Sequence, residues 1–452
     1  MIQERELKAQ DCQIKKYHTG NYAESGQFDL GWVDEFVKKI SPYIFVRELD
    51  SLLILIPNQA YKLNPSGIAV LSFLLKGYSI QEFLQTIGDT SDKRRDLHMF
   101  FCDLRAVING CLRENDHREA VAYYEFNGNV GKYPVLSEVA VTYRCNLKCR
   151  FCYVGHQRSP EMNTNDMKKV LLRIRHEAQV PSVSFTGGEP LLRQDLGELV
   201  AYATGIDMWT NLITNGTLLT QELADELKGA GLKSAQVSIE GHAALVHDRL
   251  TGVSGSFKKT LTAIRILQNT GVRVHTNTTL SRENIQHAEQ ILCLARRLGL
   301  KRVSMNLLIP CGSAAQSSDL WVSYSEVGDH ILRLKRRARE EGIDFLWYSP
   351  VPLCTFNPIA HGFGNKSCAA LTGLLSIDPQ GNIIPCSSWP MPIGSLLRKS
   401  FQDIWQTPML SYFENVEYAP EKCRRCEHLD VCKGACPLYW HACGVGELDA
   451  RA

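Results

Sequence analysis

The run CNLKCRFCYVG at 145–155 puts three cysteines, Cys145, Cys149 and Cys152, into eight positions. A structural zinc ion takes four protein ligands in a closed tetrahedron, so three thiolates from one short loop leave a metal centre incomplete. A [4Fe–4S] cube held by three cysteines keeps one iron free to bind something else. A zinc ion with a fourth ligand borrowed from His156 or a distant residue is the alternative reading of the same loop. About forty residues on, SFTGGEPLL (184–192) offers a second site: Gly187 and Gly188 allow backbone to approach a ligand with no Cβ in the way, and Glu189 supplies a carboxylate beside them.

The other thiols are unevenly spread. Of sixteen cysteines, seven more lie between 368 and 443: Cys368, Cys386, Cys423, Cys426, Cys432, Cys436 and Cys443. A polar N-terminus without a secretory apolar core points to the cytoplasm, where disulfides are rare. Clustered thiols in a reducing compartment hold metal, and seven of them together need a cationic core. Cys12, Cys102, Cys111, Cys293, Cys311 and Cys354 read as small buried hydrophobes, Cys354 the least securely. With a net charge of +2, the chain has no field that would bind nucleic-acid phosphates. No run approaches the roughly 20 apolar residues that span a bilayer.

The elements that must position these groups follow from periodicity. Strands expected at 137–143, 182–186, 208–214, 235–240, 272–280 and 302–309 alternate with helices at 165–178, 194–203, 220–230, 256–270 and 283–298, which predicts a parallel sheet with right-handed crossovers. Such folds gather their chemistry at the C-terminal ends of the strands, and both motifs follow strand ends. Before this region, strands at 43–47, 52–56 and 60–63 and three helices starting at Asn64-Pro65, Ser79 and Ser91 predict a small α+β domain. Residues 1–40 lack a strong period and read as an arm or an extra helix. RLKRRAREE (333–341) reads as a solvated helix face, and LLSIDPQGNIIPC (374–386) as a hairpin turning at Pro379-Gln380-Gly381.

CNLKCRFCY resembles the cluster loop of radical S-adenosylmethionine (SAM) enzymes, CxxxCxxC with an aromatic, here Phe151, before the last Cys. The resemblance covers Leu136 to about Pro310 and implies a partial (β/α)6 barrel of α/β class. It implies that the amino and carboxylate groups of SAM chelate the open iron and that cluster-driven cleavage of SAM yields a hydrogen-abstracting 5′-deoxyadenosyl radical. It assigns Gly187, Gly188 and Glu189 to the SAM amino group, which Glu189 would accept in a charge-assisted contact. ITNG (213–216) and VSIEGHAALVHDRLTGVSGSF (237–257) match weaker family motifs. These make Ser238, Glu240 and, on the fifth strand, Asn277 candidates for the ribose hydroxyls, with Glu240 standing where Asp is usual. Asp248 and Arg249 read equally as a surface ion pair.

The C-terminal thiols resemble the seven-cysteine SPASM extension, which implies two auxiliary iron–sulfur clusters. By that resemblance Cys368, Cys386 and Cys436 belong to a nearer cluster and Cys423, Cys426, Cys432 and Cys443 to a farther one. Either Cys354 completes the nearer cluster or that cluster is open to substrate; zinc fits the same CxxC spacings. The small domain resembles the winged-helix peptide-recognition domain of ribosomal-peptide maturation systems, similar to the pyrroloquinoline-quinone chaperone. It implies that a precursor peptide's leader adds a strand to the sheet; a plain α+β cap is the alternative.

The domains expected are an arm (1–40), the peptide-recognition-like domain (41–115), the barrel (130–310), a connecting helix (311–345) and the SPASM domain (346–452). The function expected is maturation of a ribosomally made peptide through a thioether or C–C crosslink, with a flavodoxin or ferredoxin as electron donor and neither nucleic acid nor membrane as partner. The rival readings are a SPASM enzyme acting on a small molecule, such as a haem-precursor decarboxylase, and a non-catalytic iron–sulfur or zinc scaffold.

Overall fold

The computed structural model describes residues 28–57, 59–108, 121–124, 131–155 and 159–449. Cys12, Cys111 and His156 lie outside them. The chain divides after residue 125 into two compact units. Elements are numbered here in chain order among the described residues.

In the first unit, four antiparallel strands pair in the order β1 (Ile44–Arg47), β2 (Leu52–Leu55), β3 (Gln59–Leu63) and β4 (Val121–Tyr124). The three expected helices are α2 (Pro65–Leu75), α3 (Ile80–Ile87) and α4 (Ser91–Ile108). The Asn64 side chain accepts from Gly67 N at 2.7 Å with Pro65 in the first turn, and Ser79 with Glu82 forms a reciprocal capping box, so polar start signals fixed these boundaries. An extra helix, α1 (Val33–Ile40), buries Val33, Val37 and Ile40. Eight residues were too few to register as a period. Strand β4 was not expected from sequence either.

In the second unit, seven strands run parallel: β5 (Leu136–Thr142), β6 (Ser182–Gly187), β7 (Trp209–Thr214), β8 (Ser234–Ser238), β9 (Arg273–Leu280), β10 (Arg302–Leu307) and β11 (Asp344–Trp347). Helices α5 (Thr164–His176), α6 (Leu196–Gly205), α7 (Gln221–Gly229), α9 (Ser256–Asn269) and α10 (Ala288–Arg297) provide the crossovers, with α8 (Ala244–Thr251) between β8 and α9. Met167, Val170, Leu171 and Ile174 of α5 and Leu199, Val200 and Ala203 of α6 are buried in one core with Val139, Val141, Val183, Phe185 and Leu212 of the strands. The sheet is open, β11 at one edge and a C-terminal hairpin at the other.

Both edges extend past the boundary near 310 that sequence pattern indicated. Beyond α11 (Tyr324–Glu341), β11 adds a seventh parallel strand; β12 (Leu374–Ile377) pairs parallel with β5 and turns through Pro379-Gln380-Gly381 into β13 (Asn382–Ile384), followed by β14 (Gly394–Ser395). Strands of two to four residues carry too little alternation to be assigned to a sheet before their partners are known. Arg337 of α11 pairs with Glu340 and Glu341 and Arg333 with Glu289, so the charged face is partly tied down. No helix among the described residues is long and apolar enough to cross a membrane.

Candidate active site and cluster-binding thiols

The loop carrying Cys145, Cys149 and Cys152 begins where β5 ends, and close glycine contacts on three sides hold its backbone. A Cβ on Gly187 would lie 2.1 Å from Thr142 O, and one on Gly188 2.3 Å from Arg144 O. Real Cβ atoms do not approach that closely, so both positions require glycine. The close approach lets Gly188 N donate to Thr142 O and Glu189 N to Arg144 O, each at 2.8 Å. On a second side, Lys148 N donates to Thr251 O and Arg150 N to Leu250 O, and a Cβ on Gly252 would meet Lys148 O at 2.6 Å. On a third, Ser313 N donates to Cys152 O at 2.8 Å and Gly312 leaves no room for a Cβ over Cys152 O. Gly252 and Gly312 both have left-handed φ, +71° and +55°, which favours glycine independently. The glycines of the sequence motif thus first serve the chain's own close packing.

Glu189 is fully buried. Its carboxylate accepts from Leu191 N (3.0 Å), Thr214 Oγ1 (2.7 Å) and Asn215 N (2.8 Å). Burial raises its pKa, against the pull of those three donors. A carboxylate has about four acceptor sites, so one remains for an incoming ammonium. Asn215, from the ITNG turn, also donates to Asn146 Oδ1 at 3.1 Å and lies 3.9 Å from Cys145 Sγ. The second and third strand ends are therefore wired to the thiol loop. Phe151 packs half-buried with Leu250, Leu308, Ala314 and Leu320 beneath the loop.

Ser238 and Asn277 are register partners on β8 and β9. Asn277 donates to Asn306 Oδ1 at 2.7 Å and accepts from Ser304 at 3.0 Å, a polar ladder the sequence did not reveal. Glu240, just past β8, is buried, accepts from Thr279 N at 2.9 Å, and has its pKa pushed to about 8 by burial. It lies near enough to Cys149 to raise that thiol further, after burial itself. Asp248 accepts from Gly255 N and Phe257 N and so organises the start of α9. Arg249 shares Glu283 with the loop's Arg150. The two charges are used separately, Asp248 at the start of α9 and Arg249 with Glu283, rather than as the expected ion pair.

All three loop thiols are reduced, and burial pushes each above its ordinary pKa. Ionised together in this position they need a compensating cation, which an iron–sulfur core supplies. Among the described residues no three Cys, His, Asp or Glu side chains, these thiols included, already close around a single ion. Residues and chemistry fit a cube held by Cys145, Cys149 and Cys152.

The C-terminal thiols form two sets. Burial, then Cys368 and Cys436, push Cys386 well above the usual thiol range; Cys436 is pushed to about 12 by burial and then Cys368. Burial, then Cys432, Cys354 and Cys426, push Cys423 to about 11. Cys354 is charge-coupled to Cys423, and Cys443 neighbours Tyr439 and Glu447. Cys311 was read as a buried hydrophobe. It follows the sixth strand and is charge-coupled both to Cys152 and to Cys436, between the loop and the nearer set. Only its place after a strand end could have flagged it. Cys102 and Cys293 are half-buried in helices.

Comparison with known proteins follows the same division. Residues 139–295 match the radical SAM superfamily and 368–427 the SPASM iron–sulfur cluster-binding domain. The chain is 32% identical to an AdoMet-dependent heme synthase of Oleidesulfovibrio alaskensis over 65% of this chain and 80% of that protein. It is 27% identical to a PqqA peptide cyclase of Gluconobacter oxydans over 67% and 86%. Streptococcus suis SuiB bound to its precursor peptide SuiA shares the fold with a TM-score of 0.64 at 13% identity, over 88% of this chain and 95% of that one. This chain belongs to the radical SAM superfamily, is an enzyme that uses a [4Fe–4S] cluster and SAM, and carries a SPASM domain for auxiliary iron–sulfur clusters.

Proposed function

We propose that this enzyme is a cytoplasmic peptide maturase that crosslinks a ribosomally made precursor through a thioether or C–C bond. The observation that carries this reading is the first unit. The heme synthase is matched over most of its own length by only 65% of this chain, whereas the likeness to peptide-bound SuiB covers 88%, more than the second unit alone contains. A substrate as small as a haem precursor gives no role to a separate α+β unit. That unit's sheet ends in β1 and β4, and a winged-helix reading of it has the leader extend the sheet as a further strand, through main-chain hydrogen bonds that ask little of the peptide's sequence.

SAM cleavage at the reduced cluster supplies the radical that removes hydrogen from the core peptide. Cys145, Cys149 and Cys152 would hold that cluster, the turn Gly187-Gly188-Glu189 would receive the SAM amino group at the remaining acceptor site of Glu189, and Ser238 with Asn277 would orient the ribose. Closing a crosslink removes two hydrogens, the second as a proton and an electron, and auxiliary clusters, when bound, would supply an acceptor for that electron. A flavodoxin or ferredoxin delivers the priming electron, with the exposed Arg336 and Arg339 of α11 as its docking residues.

Higher identity to the heme synthase than to the peptide cyclase favours a second reading, oxidative decarboxylation of a haem precursor. Anaerobic incubation with SAM, reductant and the peptide encoded beside the gene decides between them. Mass spectrometry is expected to show a peptide lighter by two hydrogens. An unmodified peptide together with carbon dioxide release from a haem precursor would establish the second reading.

A further inference from the structure

Strand β5 carries one charged side chain, Glu138. Successive side chains of a strand point to opposite faces. Val139 and Val141 of β5 lie in the core of strands and helices, so Glu138 stands on the other face of the sheet. There its register partners are Ser376 of β12 and Ser184 of β6. Ser376 Oγ donates to Glu138 Oε1 at 2.7 Å, and Ser387 Oγ donates to the same oxygen at 2.5 Å.

Ser387 directly follows Cys386, a thiol of the nearer SPASM set, and Ser376 lies on the strand whose hairpin leads to that thiol. One carboxylate oxygen thus ties the strand before the cluster loop to the residue beside a C-terminal thiol. Its charge also acts on the Cys386 thiol, after burial and the thiols Cys368 and Cys436. Among the described residues no Lys, Arg or His forms an ion pair with Glu138. Hydrogen bonding alone does not call for a charge here, because a glutamine oxygen has two lone pairs for the same two hydroxyls. Half-buried and without a cation, a carboxylate costs free energy relative to that amide. What the charge adds is opposition to the extra electron of a reduced iron–sulfur cluster nearby.

We propose that Glu138 is a positioning residue for the nearer auxiliary cluster: it holds Ser387 beside Cys386, and its negative charge lowers the midpoint potential of a cluster bound at Cys368, Cys386 and Cys436. A lower potential favours passing an electron on over retaining it. The inference rests on the family assignment and not on the peptide reading, since no substrate enters it. The structure brings together residues 249 positions apart (138 and 387), and no spacing pattern pairs them.

The test compares Glu138→Gln and Glu138→Asp with the parent in the full chain, reconstituted anaerobically with iron and sulfide. A redox titration followed by electron paramagnetic resonance is read without SAM or peptide, and Cys386→Ala marks the nearer cluster's component by its loss. Glu138→Gln keeps an acceptor at the same reach and removes the charge. It is expected to keep the parent's iron and to move the marked component's midpoint potential upward, more than that of any other component. Glu138→Asp keeps the charge and draws the acceptor back, so its potential is expected to stay closer to the parent's than to that of Glu138→Gln. A parental potential in Glu138→Gln, an equal upward shift in Glu138→Asp, or loss of the marked component from Glu138→Gln overturns the proposal. So does a spectrum that Cys386→Ala leaves unchanged.

Discussion

The loop at 145–152 and the thiols at 354–443 present the same ligand atoms on opposite kinds of support. The loop is clamped by backbone hydrogen bonds from the end of β6, the end of α8 and the segment after β10, each admitted by a glycine, over a core of strands and helices. The C-terminal thiols sit among helices of four to seven residues, Glu421–Arg424, Leu429–Cys432 and Pro437–Cys443, too short to be stable by their own hydrogen bonds. One site is built by the fold and then takes its metal. The other leans on side chains beside its thiols, Ala435, Tyr439 and Trp440, which are buried in the same core.

The sharpest way to break that contrast is to remove the loop thiols. Replacing Cys145, Cys149 and Cys152 together with Ala is expected to abolish 5′-deoxyadenosine formation under dithionite while iron–sulfur absorption from the auxiliary clusters persists. Loss of all iron from this variant would falsify the division into independent sites. A smaller perturbation tests the clamp alone: Gly188→Ala drives a methyl into Arg144 O, expected to cost about 1–3 kcal/mol of stability and to weaken SAM binding roughly tenfold or more. Isothermal titration of the reconstituted protein and thermal melts measure both. Unchanged SAM affinity would show that the loop is held elsewhere.

The smallest effect concerns pH. The buried Glu240 keeps its proton up to about pH 8, whereas an exposed glutamate releases it near 4.5. Folding therefore takes up a proton between those values, and stability falls as pH rises from about 4.5 to 8. Glu240→Gln retains an acceptor for Thr279 N without that linkage. Its melting temperature is expected to exceed the parent's by a few degrees at pH 8 and to match it near pH 5. A constant difference across that range would place the Glu240 carboxyl in a wetter site than the structure describes.

Legibility in the sequence followed the range of the interactions. The crossover helices and the first six parallel strands were readable because each is long enough to carry its own period. The starts at Asn64 and Ser79 were readable because caps are local. The ladder of Asn277, Ser304 and Asn306 was not, because it joins neighbouring strands through side chains whose spacing in sequence carries no signal. The same holds for Glu189, whose three donors arrive from its own turn and from the next strand end.

By itself the sequence determined the thiol loop, the Gly-Gly-Glu turn, the six-strand alternation and the thiol-rich tail, since these are properties of short segments. The tertiary structure alone decided that the motif glycines pack against the loop's own carbonyls and that Cys311 lies between two thiol sets. Such contacts depend on which distant segments the sheet and its edges bring within a few ångströms of each other, and a linear spacing rule does not encode that distance.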